Sequence, residues 1–163
     1  MPDAWPEGPD EGVRPANQND RMQLYDRAFA DLDAPTLYAL LKLRTDIFVV
    51  EQACPYPELD GRDTEPTTRH LWFADEPTDP KAYLRILAEP DGSARIGRVC
   101  TAASARGRGL ARRLMEAALA RTGDRPCVLD AQRYLLDFYR SFGFTVAGPE
   151  YLDGGIPHVP MRR

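Results

Sequence analysis

The sequence has few of the features that hold small secreted domains together. Its 163 residues contain three cysteines, Cys54, Cys100 and Cys127, which lie far apart and form no CxxC pair. This pattern argues against a disulfide scaffold or a zinc finger, and we predict no metal site. Because unpaired cysteines are typical of a reducing compartment, we expect the protein to be cytoplasmic.

Long apolar runs and net positive charge are also lacking. No apolar run approaches the ~18 residues needed to span a bilayer, and the mean hydropathy is −0.47. The amino terminus lacks the basic-then-apolar order of a secretory signal. The formal net charge is −4. We therefore expect neither a membrane nor a nucleic acid as partner.

The first 21 residues differ in composition from the rest. They carry four prolines, five acidic residues and few large apolar side chains. Such a segment cannot bury enough apolar surface to offset the entropy of ordering, so we predict a disordered tail over 1–21. Residues 22–163 are predicted to form one domain, and a chain of about this length buries roughly 68–70% of its unfolded surface.

Strand and helix patterns alternate through that domain. Strands are predicted over 22–29, 71–74, 82–88, 94–101, 127–131, 144–147 and 158–161, and helices over 33–47, 110–119 and 135–142. Prolines and a glycine in 52–68 predict an irregular loop. The order β-α-β-β-β-α-β-α-β-β predicts an α/β (α+β) fold, in which a mixed and mostly antiparallel sheet carries helices on its faces.

The strongest chemical motif is the segment 104–111, which joins a strand to a helix. Its two glycines and small Ala111 allow a ligand to approach the backbone where the helix begins, and two arginines add positive charge. Exposed N–H groups and the helix dipole make this a phosphate site. A Walker A loop is excluded because the sequence has no Gly-Lys pair, and Arg112 stands where a dinucleotide fingerprint needs glycine or alanine.

The motif Arg106-x-x-Gly109-x-Ala111 resembles the pyrophosphate loop of the GNAT superfamily of N-acetyltransferases. Tyr139-Arg140-Ser141-Phe142-Gly143-Phe144 stands where that superfamily has a Tyr-x-x-x-Gly-Phe helix. The chain is more specifically similar to the ElaA-like branch, over about residues 22–163. The segments that carry this similarity are Phe48–Gln52, Cys54–Tyr56, Asp60–Asp63, Arg69-His70 and Gly154–His158. Gln132 and Leu135 depart from the asparagine and alanine usual in the superfamily.

The resemblance implies how acetyl-CoA binds. Two strands of the sheet would splay apart and admit the cofactor, and the backbone of Val99, Cys100 and Thr101 would pair with its pantetheine arm. Gln132 and Tyr139 would lie along that arm near the sulfur. The pyrophosphate would be held by one loop, composed of Arg106, Gly107, Arg108, Gly109, Leu110 and Ala111.

The resemblance also implies direct transfer of the acetyl group to a primary amine of a small molecule or peptide, without an acyl-enzyme. Tyr139 is the predicted acid that protonates the departing sulfur. Glu51 is the predicted base, and other candidates stay open: Asp60, Asp63, His70 and His158. A small buried residue is the favoured interpretation of Cys100, with an acyl acceptor as its alternative.

Other functions remain open. A catalytically silent acyl-CoA sensor would keep the loop but show no turnover. RNA binding through the arginines at 106, 108, 112 and 113 ranks last, because they lack interleaved aromatic residues. The acidic residues in 51–65 weakly favour a cationic acceptor. Neither the acceptor nor the choice between monomer and homodimer follows from the sequence.

Overall fold

The computed structural model describes residues 21–163. The predicted tail lies outside these residues, apart from Arg21, and the predicted domain boundary at 22 stays a prediction. Eight strands are present: β1 (Gln23–Ala28), β2 (Arg69–Ala74), β3 (Pro80–Ala88), β4 (Ala94–Thr101), β5 (Cys127–Gln132), β6 (Thr145–Val146), β7 (Tyr151–Asp153) and β8 (Ile156–Arg162). Within residues 21–163, three α-helices accompany them: α1 (Ala34–Thr45), α2 (Leu110–Thr122) and α3 (Leu136–Arg140).

The strands form one mixed sheet in the order β1-β2-β3-β4-β5-β8-β6, and β7 also pairs with β8. All neighbouring pairs are antiparallel except β4 with β5, which is parallel. The predicted mixed and mostly antiparallel sheet is confirmed. The single parallel pair arises because α2 carries the chain back across the sheet between β4 and β5.

The helices cover both faces of the sheet, as predicted, and residue alternation along the strands decides which face each one covers. On β2, Leu71 and Phe73 join the larger apolar cluster with α2 and α3. Their neighbours Trp72 and Ala74 join a second cluster with α1. Because successive strand residues point to opposite faces, α1 lies on one face and α2 with α3 on the other.

Helix α1 begins at a capping residue and continues into wider turns at its carboxyl end. The side chain of Asp33 accepts a hydrogen bond of 2.8 Å from the backbone N–H of Thr36, which caps the helix. At its other end α1 continues into wider π-helical turns over Asp46–Glu51. There the N–H of Gln52 bonds to the carbonyl of Ile47, five residues back. These turns extend the helix beyond the predicted end at 47.

Strand β7 was not predicted. It is three residues long and exposed, so it carries no apolar alternation that a sequence pattern could reveal. Its hairpin with β8 depends on Gly154 and Gly155, whose φ angles are +57° and +80°. Two successive left-handed residues form the two-residue turn that suits a twisted hairpin. The predicted strand over 144–147 is shorter than expected, because only Thr145 and Val146 pair with β8.

Strands β4 and β5 diverge along most of their length. They pair only at Ala94 with Cys127 and at Arg95 with Val128, although β4 continues to Thr101 and β5 to Gln132. Beyond Arg95, the edge of β4 that faces β5 is therefore open. The splayed strand pair that the resemblance implied is present in the sheet.

Candidate active site

A cavity of about 620 Å³ opens where β4 and β5 diverge. Its wall includes the end of β4, the end of β5, the π-helical turns, α3 and the β7–β8 hairpin. Among the predicted site residues and base candidates, nine line it: Glu51, Val99, Cys100, Thr101, Arg106, Ala111, Gln132, Tyr139 and His158. The structure thus brings the two ends of the predicted cofactor site, the loop and the splayed strands, into one space.

A β-bulge shapes the β4 side of this cavity. Cys100 is opposite Tyr83 and Gly97 is opposite Arg85, so Arg98 and Val99 together oppose a single residue of β3. Arg98 adopts a left-handed backbone with φ of +55°. The bulge shifts the alternation, and Cys100 consequently joins the α1 cluster while Ile96 joins the α2 cluster. Bulges leave backbone groups unpaired and re-aim side chains, as a ligand site requires.

The predicted phosphate loop ends at the amino terminus of α2. Gly107 and Gly109 have φ of +76° and +72°, conformations that favour glycine. Gly109 is the N-cap and offers no side-chain acceptor. The first intrahelical bond in this turn runs from the N–H of Arg113 to the Gly109 carbonyl. The N–H groups that precede it in the first turn have no partner within the helix and are therefore available to an anion.

The remaining loop residues do not line the cavity with side chains. The side chain of Leu110 is buried in the α2 cluster. Gly107, Arg108 and Gly109 are likewise not part of the cavity wall. Any contribution of Leu110 and the two glycines to ligand binding must therefore come from the backbone.

Tyr139 and Cys100 are buried groups on the cavity wall. Tyr139 is 6% exposed, and its burial, with smaller contributions from Tyr134 and Cys100, raises the pKa of its hydroxyl. Burial also raises the pKa of the Cys100 thiol to about 12. Both groups are protonated at neutral pH. Tyr139 can therefore donate a proton, whereas Cys100 is a poor nucleophile, which favours the buried-residue interpretation.

Glu51 lines the cavity in an ion pair. Its carboxylate lies 2.7 Å from the Arg106 guanidinium, and the hydrogen bond from Arg106 lowers the pKa of Glu51. Arg106 also donates a bond of 3.2 Å to the Thr101 carbonyl. Gln132 donates to Gln52 over 3.2 Å, and this contact joins the end of β5 to the turns after α1.

Three acidic residues of the irregular loop, Glu58, Asp60 and Asp63, are held by arginines of α1 and β3. Arg44 of α1 lies 2.7 Å from both Glu58 and Asp63. Arg85 of β3 bonds to Asp63 over 2.9 Å and also to Asp60. Asp60 in addition accepts a turn hydrogen bond from the N–H of Arg62. The expectation that these acids favour a cationic acceptor is not supported, because arginines neutralise them.

The two histidines occupy different environments. His70 is 1% exposed, and its ring bonds to the Tyr83 hydroxyl over 2.7 Å and to the Asp63 carbonyl over 3.0 Å. It does not line the cavity. His158 does line it, and its Nδ1 lies 2.8 Å from the Ile156 carbonyl. Both histidines were candidate bases from the sequence, but only His158 lines the cavity.

Several cavity residues were missed by the sequence analysis. They are Arg95, Asp130, Tyr134, Tyr151 and Asp153. Tyr151 and Asp153 belong to the unpredicted strand β7. The signal that could have found them is Asp153-Gly154-Gly155, since a Gly-Gly pair between extended segments is typical of a hairpin.

Two of the arginines considered for RNA binding pack against aromatic rings. The guanidinium carbon of Arg112 lies 4.9 Å from the Phe142 ring centroid, and that of Arg113 lies 4.3 Å from the Phe73 centroid. Both side chains therefore help to attach α2 to its surroundings. Among residues 21–163, no group of three or more His, Cys, Asp or Glu side chains could hold a metal ion. No helix in this part of the chain is long and apolar enough to cross a membrane.

Comparison with known proteins relates this architecture to one family. The model of the acetyltransferase (GNAT) domain matches residues 49–163. A UPF0039 protein of Mycobacterium tuberculosis is 55% identical over 136 residues, which cover 82% of this chain and 87% of that protein. The protein ElaA of Escherichia coli is 40% identical over 150 residues, covering 87% of this chain and 96% of ElaA.

Solved structures agree with the sequence comparison. The crystal structure of an acyl-CoA N-acyltransferase from Pseudomonas aeruginosa superposes with a TM-score of 0.82 at 43% identity, covering 87% of this chain and 99% of that one. The crystal structure of Escherichia coli ElaA superposes with a TM-score of 0.81 at 37% identity, with the same coverage. The GNAT-like fold and the ElaA-like resemblance predicted from the sequence are both confirmed.

Proposed function

The chain belongs to the family of GNAT acetyltransferases, and on that basis we propose that it transfers an acetyl group from acetyl-CoA directly to a primary amine of a small molecule or peptide. Family membership and fold make it an acyltransferase. The acetyl group, the amine acceptor and a cytoplasmic location are the proposed refinements. Its three cysteines are all unpaired, which supports the reducing compartment.

The observation that carries the proposal is the divergence of β4 and β5 into a cavity that reaches the phosphate loop. The open edge of β4 beyond Arg95 offers backbone groups to the pantetheine arm, as an added strand would use them. The N–H groups at the start of α2 that have no partner within the helix suit the pyrophosphate. Val99, Cys100 and Thr101 lie between these two features and would flank the thioester.

The proposed reaction is attack of the amine nitrogen on the thioester carbon. A C–N bond forms, the C–S bond breaks, the amine loses a proton to a base, and the departing sulfur gains one. Tyr139 is the proposed donor to sulfur, and a backbone N–H near Val99 or Cys100 would stabilise the developing oxyanion. The role of Glu51 as the base remains a prediction, and its ion pair with Arg106 makes its carboxylate a weak proton acceptor.

The two proton transfers differ in energy. An alkylammonium has a pKa near 10.4, so making it neutral at pH 7 costs about 4.6 kcal/mol. Protonating a thiolate whose conjugate acid has a pKa of about 8.5 gains only about 2 kcal/mol at pH 7. Deprotonation of the amine is therefore the larger contribution that the enzyme must make.

Cofactor binding is tested first, by thermal unfolding. At 100 times its Kd, acetyl-CoA should stabilise the fold by about 2.7 kcal/mol and raise Tm by about 5–10 °C. Gly109→Asp places a carboxylate beside the pyrophosphate and should weaken binding about 10- to 100-fold more than Gly109→Asn, which has the same shape without the charge. Equal effects of the two variants would contradict an anion site at this loop.

Turnover is tested second, by release of CoA with a panel of amines, amino acids and peptides. We expect CoA release that depends on the amine and forms an acetylated product. Binding of acetyl-CoA without CoA release on any amine would favour the silent acyl-CoA sensor instead. No thermal shift at millimolar acetyl-CoA would contradict both functions.

A further inference from the structure

The β7–β8 hairpin forms a wall of the cavity and carries three polar side chains, of which only His158 has so far been considered for the reaction, as one candidate base. Tyr151, Asp153 and His158 all line the cavity. Tyr151 stands directly opposite His158 in the strand register, and their rings stack with centroids 5.9 Å apart. Asp153 follows Tyr151 by two residues, so its side chain projects from the same face of β7.

Hydrogen bonding selects one tautomer of His158. Its Nδ1 lies 2.8 Å from the carbonyl oxygen of Ile156. Because a carbonyl can only accept, Nδ1 carries the hydrogen in the neutral ring, and Nε2 carries the lone pair. Within residues 21–163, Nε2 has no hydrogen-bond partner. A half-buried imidazole on a cavity wall with a free lone pair is a suitable proton acceptor.

His158 and Tyr139 lie on opposite faces of the sheet. His158 pairs with Gln132, and cross-strand partners share a face. The Gln132 side chain bonds to Gln52, which follows α1, so this is the α1 face. Tyr139 belongs to the cluster on the α2 face. An amine that attacks from one side of the thioester while sulfur departs on the other needs its acid and base arranged in this way.

Asp153 is the acidic residue on the cavity wall without a positive partner. The other two acidic residues that line the cavity are neutralised: Glu51 pairs with Arg106 at 2.7 Å, and Asp130 pairs with Arg95 at 2.6 Å. Asp153 has no ion pair with any residue in 21–163. It lies close enough to Tyr56 and Tyr151 to help raise the pKa of both hydroxyls.

We propose that this hairpin forms the acceptor site, in which Asp153 attracts a primary ammonium group and His158 accepts its proton through Nε2. The inference rests on the proposed acetyl transfer. The ammonium proton passes to Nε2, the nitrogen lone pair attacks the thioester carbon, and the C–S electron pair leaves with sulfur, which takes a proton from Tyr139. The imidazolium returns its proton to solvent, Nε2 then takes the second proton from the attacking nitrogen and releases it likewise, and a solvent proton restores the Tyr139 hydroxyl. The substrate class is a primary aliphatic amine that is cationic in solution.

The charged and titratable side chains that line the cavity together with His158 come from every part of its wall. They are Tyr151 and Asp153 from β7, Asp130 from β5, Arg95, Arg98 and Cys100 from β4, Arg85 from β3, Arg106 from the phosphate loop, Glu51 from the π-helical turns, Cys54 and Tyr56 from the irregular loop, and Tyr134 and Tyr139 from the segment after β5. Burial, with help from Asp130, raises the pKa of Tyr151 to about 12. Burial and the bond to Glu58 raise the pKa of Tyr56, whereas the bond from Arg106 lowers that of Glu51. None of these three changes charge between pH 6 and 9.

The decisive variant is His158→Asn, because the asparagine amide can still donate to the Ile156 carbonyl but lacks the basic Nε2. For an alkylamine that the wild type acetylates, kcat/KM of the wild type should rise by much less than tenfold per pH unit between pH 7 and 9, because the protein supplies the base that removes the ammonium proton. In His158→Asn, kcat/KM should be about 100-fold lower at pH 7 and rise tenfold per pH unit to pH 9, following the free-amine fraction. If His158 had only a structural role, kcat/KM of His158→Asn would depend on pH in the same way as that of the wild type. Imidazole added to His158→Ala should restore part of the rate.

Two parallel variants complete the test. Asp153→Asn should raise KM for the amine about tenfold with little change in kcat, since it weakens attraction of the ammonium. A level profile in His158→Asn, together with a tenfold slope in Glu51→Gln, would overturn the proposal while acetyl transfer itself stands. A wild type that binds acetyl-CoA but acetylates no amine would overturn the proposed function, and the base role with it.

Discussion

Burial determines the protonation state of the side chains near the proposed thioester. The buried Cys100 thiol stays protonated because its pKa is raised to about 12. A covalent acyl-cysteine intermediate would need the thiolate form of Cys100. The protonated thiol therefore favours direct transfer of the acetyl group to the acceptor. Tyr139 is also kept protonated, but it needs only to share a proton with a departing sulfur, for which a neutral phenol is the correct form.

The role of Tyr139 can be measured with Tyr139→Phe, which removes only the hydroxyl. Protonation of the thiolate contributes at most about 2 kcal/mol, so kcat should fall about 10- to 30-fold, and Kd for acetyl-CoA should stay within about twofold. Steady-state kinetics and thermal shift measure the two quantities. Tyr134→Phe is the matched control, because Tyr134 lines the same cavity but is 75% exposed. An equal loss in both variants would remove the acid role of Tyr139.

At the level of elements, the sequence predicted every strand that has an apolar pattern and all three helices. The continuous apolar run over 71–74 made β2 visible, and all four of these residues are buried. Strand β7 has no buried residue, and its pairing depends on the turn that follows it. The bulge at Arg98 could not be predicted either, because nothing in the sequence indicates that this arginine adopts a left-handed backbone. Of the hairpin that lines the cavity, the sequence therefore predicted β8 with His158 but not β7 with Tyr151 and Asp153.

The β7–β8 hairpin is attached to the irregular loop by one close contact. The thiol of Cys54 donates to the Gly154 carbonyl over 3.2 Å. A Cβ on Gly154 would overlap the Cys54 sulfur, whereas a Cβ on Gly155 would meet no atom within 4 Å. Both glycines have positive φ, so alanine at either position carries the same kind of backbone strain. The two positions thus separate strain from steric overlap.

We expect Gly155→Ala to lower the free energy of unfolding by about 1–2 kcal/mol, the cost of a left-handed alanine. Gly154→Ala should lower it by a further ~1–3 kcal/mol because the overlap displaces Cys54 or the hairpin. Urea denaturation of both variants measures the difference. The contact between loop and hairpin would be unimportant if the two losses were equal.

Across the whole molecule, a buried ionic network joins elements that are distant in sequence. Arg44 of α1 and Arg85 of β3 bind the carboxylates of the irregular loop, and Arg98 of β4 lies 2.9 Å from Glu58. The sequence could predict the loop from its prolines, but not these pairs, whose partners are 14 to 40 residues apart. Buried charges require such partners, so the network orients the loop that bears Tyr56 toward the cavity.

His70 lies at the edge of this network with both ring nitrogens occupied. Its Nε2 donates to the Asp63 carbonyl, and its Nδ1 accepts from the Tyr83 hydroxyl. The neutral ring therefore satisfies all its hydrogen bonds. Burial lowers the pKa of His70, and the nearby Arg44 and Arg85 reinforce that effect against the opposing influence of Asp63.

This environment predicts a pH-dependent stability. Because the pKa of His70 is lower in the folded state than its unfolded value near 6.5, protons bind the unfolded chain more tightly. The free energy of unfolding should be level above about pH 7 and fall below pH 6.5, by at most about 1.4 kcal/mol per pH unit.

His70→Gln keeps a donor for the Asp63 carbonyl but cannot titrate. It should be about 1–3 kcal/mol less stable at pH 8, since the Tyr83 hydroxyl loses its acceptor, and should show a shallower slope between pH 6.5 and 5 in urea unfolding. The same slope in both proteins would mean that His70 is not the group whose protonation opposes folding.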